Sequence, residues 1–348
     1  MSRPVSVHDC SLMYPTSPVD PVELRTFASF AELAGMQRLY LGQTLVFEPH
    51  STFSRLLAQG STTPLGTAVT LMPLRHPMTA ALQARELAVF SGSRYVAGLG
   101  LGSRRFNETI GGGWPASPLG YVREYATIVR GLVRGERVQV DGDHFRVDTR
   151  LSPPGLTCDV EVGLGVLRPR MTELAGEVAD VAVSWLTPPE YCAEQLVPAL
   201  ERGAVDREER PRLATVVNVA VDRPGRDPVE LALAGLGDHL AAPHYGDALR
   251  RAGYDVVVGD RQHNAAEIVR RGLYAYGSPE EIATTLRGYR EAGVGEILLN
   301  VGGVYLSRGP VEALQDLQAI TEVLDGGPVP ADASGLTAPE AATAGARS

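Results

Sequence analysis

The chain has 348 residues, 44% of them hydrophobic, which is enough to bury a full core and fits either two ordinary domains or one large barrel. Its 41 acidic residues outnumber 32 basic ones, and the formal charge of -9 argues against a polynucleotide surface, which needs clustered basic side chains in excess. Every one of those basic residues is Arg, so a Schiff-base lysine and a Walker lysine are both excluded.

The N-terminal "MSRPVSVHDCSLMYPTSP" interrupts every apolar stretch with polar residues and lacks the h-region of a signal peptide. No apolar run approaches the roughly 18 residues of a membrane span, so a soluble, cytoplasmic protein without a membrane partner is expected. Short β-branched runs then recur down the chain as eight candidate strands: Val5 to Met13, Arg38 to Gly42, Leu65 to Leu71, Arg94 to Leu101, Asp159 to Gly165, Asp180 to Leu186, Leu213 to Val221 and Glu296 to Val301. Between them, "PVELRTFASFAELAGM", "HPMTAALQARELAVF", "YVREYATIVRGLVRG", "RMTELAGEVAD" and "SPEEIATTLRGYREAGV" carry apolar residues at helical spacing, several with Pro or Ser at the start and Gly at the end. Eight strands that each need a right-handed helical return fit an α/β (β/α)8 barrel, a TIM barrel, better than an open sheet.

"RVQVDGDHFRVD" reads as a β-hairpin, with Asp141-Gly142 suited to a type I′ turn. From about Arg223 to Ala275 a longer excursion between the seventh and eighth strands reads as a helical insertion over the pocket mouth. Residues 1–325 are expected to form one barrel domain. Beyond Asp325, "GGPVPADASGLTAPEAATAGARS" is small and Pro/Gly-rich and is expected to be a disordered tail. Cys10, Cys158 and Cys192 are far apart and lack metal-ligand spacing, as do His239, His244 and His263 in the insertion; no metal site is expected.

The stretch "YVAGLGLGSRRFNETIGGGW", Tyr95 to Trp114, is the most informative. A dinucleotide fingerprint would follow an early strand and open a helix directly, whereas the next clear helix here starts near Pro118. In a barrel these glycines mark the C-terminal end of the fourth strand, on the face where active sites are built, and they would let a flat ring lie against the backbone. Gly98 alone fits relief of crowding inside the barrel.

Taken in order, "TPLGTAVTLMPLRHPMTAALQARELAVFSGSRYVAGLGLGS", "REYATIVRGLVRGERVQVDGDHFRV", "VGLGVLRPRMTELAGEVADVAVSWLTP" and "YGSPEEIATTLRGYREAGVGEILLN" resemble the luciferase-like monooxygenase superfamily of flavin and deazaflavin enzymes. That resemblance covers about Val5 to Leu324 and implies a bacterial-luciferase type barrel. It implies a non-proline cis peptide at Ala68-Val69, with Thr70 following, behind the cofactor ring. It also implies ring contacts from Gln43, Gly100, Gly102, Ser103 and Asn107, and a phosphate site on the backbone of Gly165, Leu167, Arg168, Arg170 and Met171 at a helix N-terminus. Arg168 either adds a bidentate phosphate contact, meets the cofactor's acidic tail, or is a solvated surface Arg.

Asn107-Glu108 resembles the Asn-Glu of deazaflavin-dependent sugar-phosphate dehydrogenases. A Glu108 buried beside the ring would be a general acid or base; the competing reading is a loop carboxylate paired with Arg104 or Arg105. Many relatives place Asp-His after the second strand, but this chain reads Leu41-Gly42-Gln43-Thr44, so acid–base work passes to His8 or Asp9, read as following the first strand, to Glu108, to Tyr14, or to the substrate. What the resemblance implies is a coenzyme F420 oxidoreductase acting on a small-molecule or peptide natural product, such as a dehydroamino acid, and working as a homodimer. The alternatives are an FMN-dependent two-component monooxygenase and a cofactor-binding protein without catalysis.

Overall fold

The eight expected strands close on themselves in the computed structural model, which describes residues 5–326 except 154, 155 and 157. In chain order the strands are β1 (Cys10–Met13), β2 (Leu39–Leu41), β3 (Leu65–Thr67), β4 (Thr70–Leu71), β5 (Tyr95–Gly100), β6 (Val138–Asp141), β7 (Arg146–Thr149), β8 (Val160–Val166), β9 (Val181–Trp185), β10 (Arg212–Val221), β11 (Tyr274–Gly277) and β12 (Glu296–Asn300). The ring runs β1–β2–β3–β5–β8–β9–β10–β12 and back to β1, parallel throughout. The chain is therefore an α/β TIM barrel. The expected tail after 326 lies outside the described residues.

The return helices begin where the sequence supplies a cap. Asp20, Glu48, His76, Ser117 and Ser278 each accept a backbone N–H of the first turn, and each helix has Pro in that turn. A side-chain cap satisfies one of the donors a helix leaves orphaned, and Pro has no donor to orphan.

Alternate residues of each strand point into the barrel. Met13, Tyr40, Val96, Val181, Val183, Ala214, Val216 and Leu298 form the inner core, with Ala68, Val69 and Trp185 packed at its edge. Below them, at the N-terminal end, lies a charged plug. Glu296, fully buried, accepts from Ser11 (2.6 Å), Tyr40 (3.0 Å), Arg38 (3.4 Å) and Arg212 (2.9 Å). Arg212 also grips Glu161 with both terminal nitrogens, at 2.6 and 2.9 Å.

Four details differ from the sequence reading. The run Val5 to Met13 is a strand only from Cys10; Val7–Asp9 is a 3-10 turn, capped when Asp9 accepts the N–H and the hydroxyl of Ser6. The hairpin pairs Asp141 with Arg146, so the loop is Gly142–Phe145 instead of a type I′ turn. Its organiser is Glu124 of the helix Pro118–Val133, whose carboxylate accepts the N–H groups of Asp143, His144 and Phe145 at 3.1, 3.0 and 2.9 Å. A Cβ on Gly142 would collide with that carboxylate.

Third, the excursion after β10 holds the helices Pro228–Ala241, Pro243–Arg251 and Arg261–Arg270, but it ends in β11, which pairs with the upper half of β10 from Asn218 to Val221. "YAYG" is too short to stand out from its helical neighbours. Fourth, a six-residue helix, Arg104–Thr109, occupies the segment read as a loop after the fourth strand. Ser103 caps it by accepting the Phe106 N–H, and Gly102 enters it at φ +75°.

Candidate functional site

The C-terminal ends of the strands form the face on which barrel proteins build their sites, and one side of this face is an apolar shelf. The Ala68–Val69 peptide is cis, as the resemblance implied. Val69 is wedged against the inner faces of β5 and β8. A Cβ on Gly100 would come within 2.6 Å of the Val69 side chain, one on Gly165 within 3.5 Å, and one on Gly98 would strike the Thr67 carbonyl oxygen. The glycines therefore make room for the third strand and Val69. The flat surface a ring could meet is Val69 itself, half-exposed with Ala68.

Around the shelf several expected contact residues are already engaged. Thr70 is buried and donates to the Gly98 carbonyl at 3.0 Å, so its hydroxyl faces the barrel wall. Asn107 is buried and holds its own loop, donating to the Leu101 and Ser103 carbonyls at 2.9 and 3.0 Å. Gln43 accepts from Arg75 at 2.7 Å and donates to the Thr44 carbonyl at 2.8 Å, while its backbone N–H donates to the Val69 carbonyl. Arg75 in turn donates to Glu48 at 3.1 Å. Burial works against the Glu48 charge, yet the His50 contact and the Ser51 N–H bring its carboxyl down to about 2.

At the end of β8 the helix Pro169–Val178 begins with no side-chain cap. A ten-residue helix with uncapped N–H groups beside the shelf is suited to an anion. Gly165, Leu167, Arg168, Arg170 and Met171 all lie here. Arg168 itself is exposed, and its guanidinium pairs with Asp247 of the helix Pro243–Arg251 at 2.8 Å, so it ties the segment after β10 to the barrel. The shelf and the open helix end fit a flat ring with a phosphate: Val69 would support the ring and the Arg170 and Met171 region would face the anion. Among the described residues no group of three or more His, Cys, Asp or Glu side chains is placed to hold a metal ion.

The three expected catalytic groups are not brought to this shelf. His8 and Asp9 precede β1 and therefore sit at the opposite, N-terminal end. There the exposed His8 meets the Gly35 carbonyl at 2.9 Å, and Asp9 caps its own turn and reaches Arg290 at 3.4 Å. Glu108 lies on the outer face of the short helix, exposed and paired with Arg104 at 3.0 Å. The capping by Ser103 turns Asn107 inward and so turns Glu108 out to solvent.

The opposite side of the mouth is polar, and sequence reading missed it. Trp185 and Asn300 are the last inward residues of β9 and β12, and Asn218 is the inward residue of β10 in register with Asn300. The Trp185 indole N–H is buried and without a partner among the described residues, and Leu186 after it adopts φ +53°, a left-handed conformation uncommon for a branched side chain. His239 lies against the Trp185 ring at 5.0 Å, with Tyr245 edge-on to His239 at 5.2 Å and His244 at 4.3 Å from Tyr245. Burial, with His244, pushes the His239 imidazole below its ordinary value against the pull of Asp238. The signal available in the sequence was a polar residue ending an apolar alternation, as in "VVN" and "LLN".

These features define a (β/α)8 barrel protein with an apolar shelf and an uncapped helix N-terminus at its C-terminal mouth. The family model for luciferase-like monooxygenases matches residues 5–296, and the chain belongs to that family. Over 165 residues it is 31% identical to a 5,10-methylenetetrahydromethanopterin reductase of Methanolobus tindarius, covering 47% of this chain and 50% of the relative. Over 196 residues it is 31% identical to an F420-dependent glucose-6-phosphate dehydrogenase of Microbacterium testaceum, covering 53% and 58%. The chain thus spans about half the length of these curated relatives.

Among solved structures, an F420-dependent secondary alcohol dehydrogenase in complex with an F420-acetone adduct superposes with a TM-score of 0.69 at 17% identity, covering 91% of this chain and 99% of that one. The oxygenating constituent of 3,6-diketocamphane monooxygenase from Pseudomonas putida, in complex with FMN, gives 0.64 at 16% identity, covering 92% and 98%. At these identities the two likenesses show the fold.

Proposed function

We propose that this chain is a coenzyme F420-dependent oxidoreductase that moves a hydride between the deazaflavin C5 and an organic substrate at the barrel mouth. The observation that carries the reading is the Val69 shelf, backed by Gly98, Gly100 and Gly165 and placed beside the uncapped helix Pro169–Val178. Relatives named for F420 or for a tetrahydromethanopterin reductase support the same choice. When bound, the deazaflavin supplies the hydride chemistry. The chain supports one face of the ring on Val69, holds the phosphate on backbone N–H groups, and keeps the Trp185 N–H for a ligand acceptor. The wording of "MPLRHP", "GLGVLRPRM" and "SWLTP" supports a peptide or other natural product with an activated double bond, such as a dehydroamino acid, as substrate.

Among the described residues no helix is long and apolar enough to cross a membrane, and we place the enzyme in the cytoplasm. Leu82, Val89 and Phe90 stand exposed on the helix Pro77–Ser91, an apolar stripe that supports a homodimer; a sedimentation mass of one chain would refute it. The second reading is an FMN-dependent monooxygenase, supported by the FMN-bound structural neighbour. Titration with F420 and with FMN, followed by fluorescence and absorbance, separates the two. Micromolar F420 binding with weak FMN binding is expected; tight binding of reduced FMN alone would replace the oxidoreductase reading with the oxygenase one.

A further inference from the structure

Three neighbouring strands each present one hydrogen-bonding side chain to the barrel mouth. Asn218 pairs in register with Asn300, and Trp185 with Val216, one inward step below Asn218. The inward direction follows from alternation, since Val183, Ala214, Val216 and Leu298 all belong to the inner core. Asn218 is 4% exposed and Asn300 5%. Yet the Asn218 carboxamide makes no hydrogen bond to any described residue. Asn300 accepts the Gly302 N–H at 2.7 Å through Oδ1 and has no acceptor for its Nδ2 among the described residues. The Trp185 Nε1 is equally without a partner. Of these groups the Trp185 Nε1 is the one shielded from solvent, and the two carboxamides stand open beside it; native proteins rarely leave such a buried donor unsatisfied, so the cluster calls for a water or a ligand.

The charge at this level narrows the ligand. The inward strand side chains at the mouth, Met13, Val69, Trp185, Asn218 and Asn300, are all neutral, and burial pushes the imidazole of His239, which lies against Trp185, below its ordinary value. The charged inward groups, Arg38, Glu161, Arg212 and Glu296, lie at the other end and pair with one another. A buried phosphate or carboxylate needs a cation against it, preferably a bidentate guanidinium. Neutral N–H donors fit a neutral acceptor, and the Asn218 carboxamide, with both a donor and an acceptor, matches the two edges of an amide.

We infer that Trp185, Asn218 and Asn300 recognise an uncharged carbonyl or carboxamide of the substrate, and that the substrate carries no phosphate at this point. The inference rests on the hydride-transfer reading only for calling the ligand a substrate. It separates this chain's specificity from that of the sugar-phosphate dehydrogenase it partly resembles.

The sequence has two tryptophans, Trp114 and Trp185, so Trp114→Phe leaves Trp185 as the sole indole reporter. In that background, with and without saturating F420, Trp185 emission is followed during titration with N-acetyl-dehydroalanine methylamide and, separately, with glucose 6-phosphate. Saturable change with the amide and none with the sugar phosphate is expected. Asn300→Asp keeps the acceptor for the Gly302 N–H but puts a carboxylate oxygen where the amide donor stood, so amide affinity is expected to fall at least about tenfold. Asn218→Ser, smaller and neutral, is a second variant with the same expectation, and circular dichroism checks that both fold.

Glucose 6-phosphate saturating as tightly as the amide would overturn the inference, as would amide affinity unchanged in both variants. F420 binding is read independently from the polarisation of its own emission. Failure of F420 to bind while the amide still saturates removes the oxidoreductase reading and keeps the recognition; F420 bound with no response to the amide removes the recognition alone.

Discussion

At the N-terminal end of the barrel, Glu296 is fully buried and fully engaged: a hydroxyl, a phenol and two guanidiniums converge on one carboxylate. At the C-terminal end, Asn218 is also buried on β10, and beside it the Trp185 indole N–H of β9 is buried with no partner among the described residues. The chain thus places polar groups inside the barrel twice, to different ends. Mutually paired charges close the bottom and contribute architecture. Neutral donors left open at the top cost stability that only a ligand or water returns.

Removing one member of the closed end is expected to have the largest effect. Glu296→Ala leaves Arg38 and Arg212 buried without their counter-charge and should destabilise the fold by about 3–5 kcal/mol in urea titrations. The same site gives a pH signature. Burial alone would raise the Glu296 carboxyl, but Arg38, Arg212 and Ser11 hold it below its ordinary value. Its stabilisation is fully present above the unfolded carboxyl value and is lost as the pH falls through the lower folded value. Glu296→Gln should flatten this acid limb in melting temperatures recorded from pH 6 down to 3.

Gly100→Ala tests the shelf between the two ends. Its Cβ would lie 2.6 Å from Val69, and the forced movement should cost about 1–3 kcal/mol. F420 affinity, read by fluorescence, should fall with it; unchanged affinity would mean that the ring does not rest on Val69. The smallest stability effect is expected at the open end. Trp185→Phe loses no hydrogen bond to any described residue, so stability should change by less than about 1 kcal/mol, while binding of the amide probe weakens. A large loss of stability there would show that the indole is structural.

Most of the barrel can be read from linear pattern because strand runs and capped helices are local: Pro and Ser before "EEIATTLRGYRE" suffice to start a helix. The cis peptide and the open helix after β8 were also legible, through resemblance. The catalytic candidates were not. His8 and Asp9 look adjacent to a strand end, but which end depends on where the 3-10 turn stops. Glu108 looks poised after the fourth strand until Ser103 caps a helix and rotates it outward.

The spacing of apolar residues in eight strand runs and their helical returns pointed to an α/β barrel, because those signals report backbone requirements that each segment meets alone, and resemblance of whole sequence blocks pointed to the luciferase-like family. Closure of the ring settled the rest. It set β9, β10 and β12 side by side and in register, so that Trp185, Asn218 and Asn300, as many as 115 positions apart in the chain, share one mouth. It also turned the glycines towards Val69. Such neighbours exist only once the last strand pairs with the first, and no local pattern along the chain encodes them.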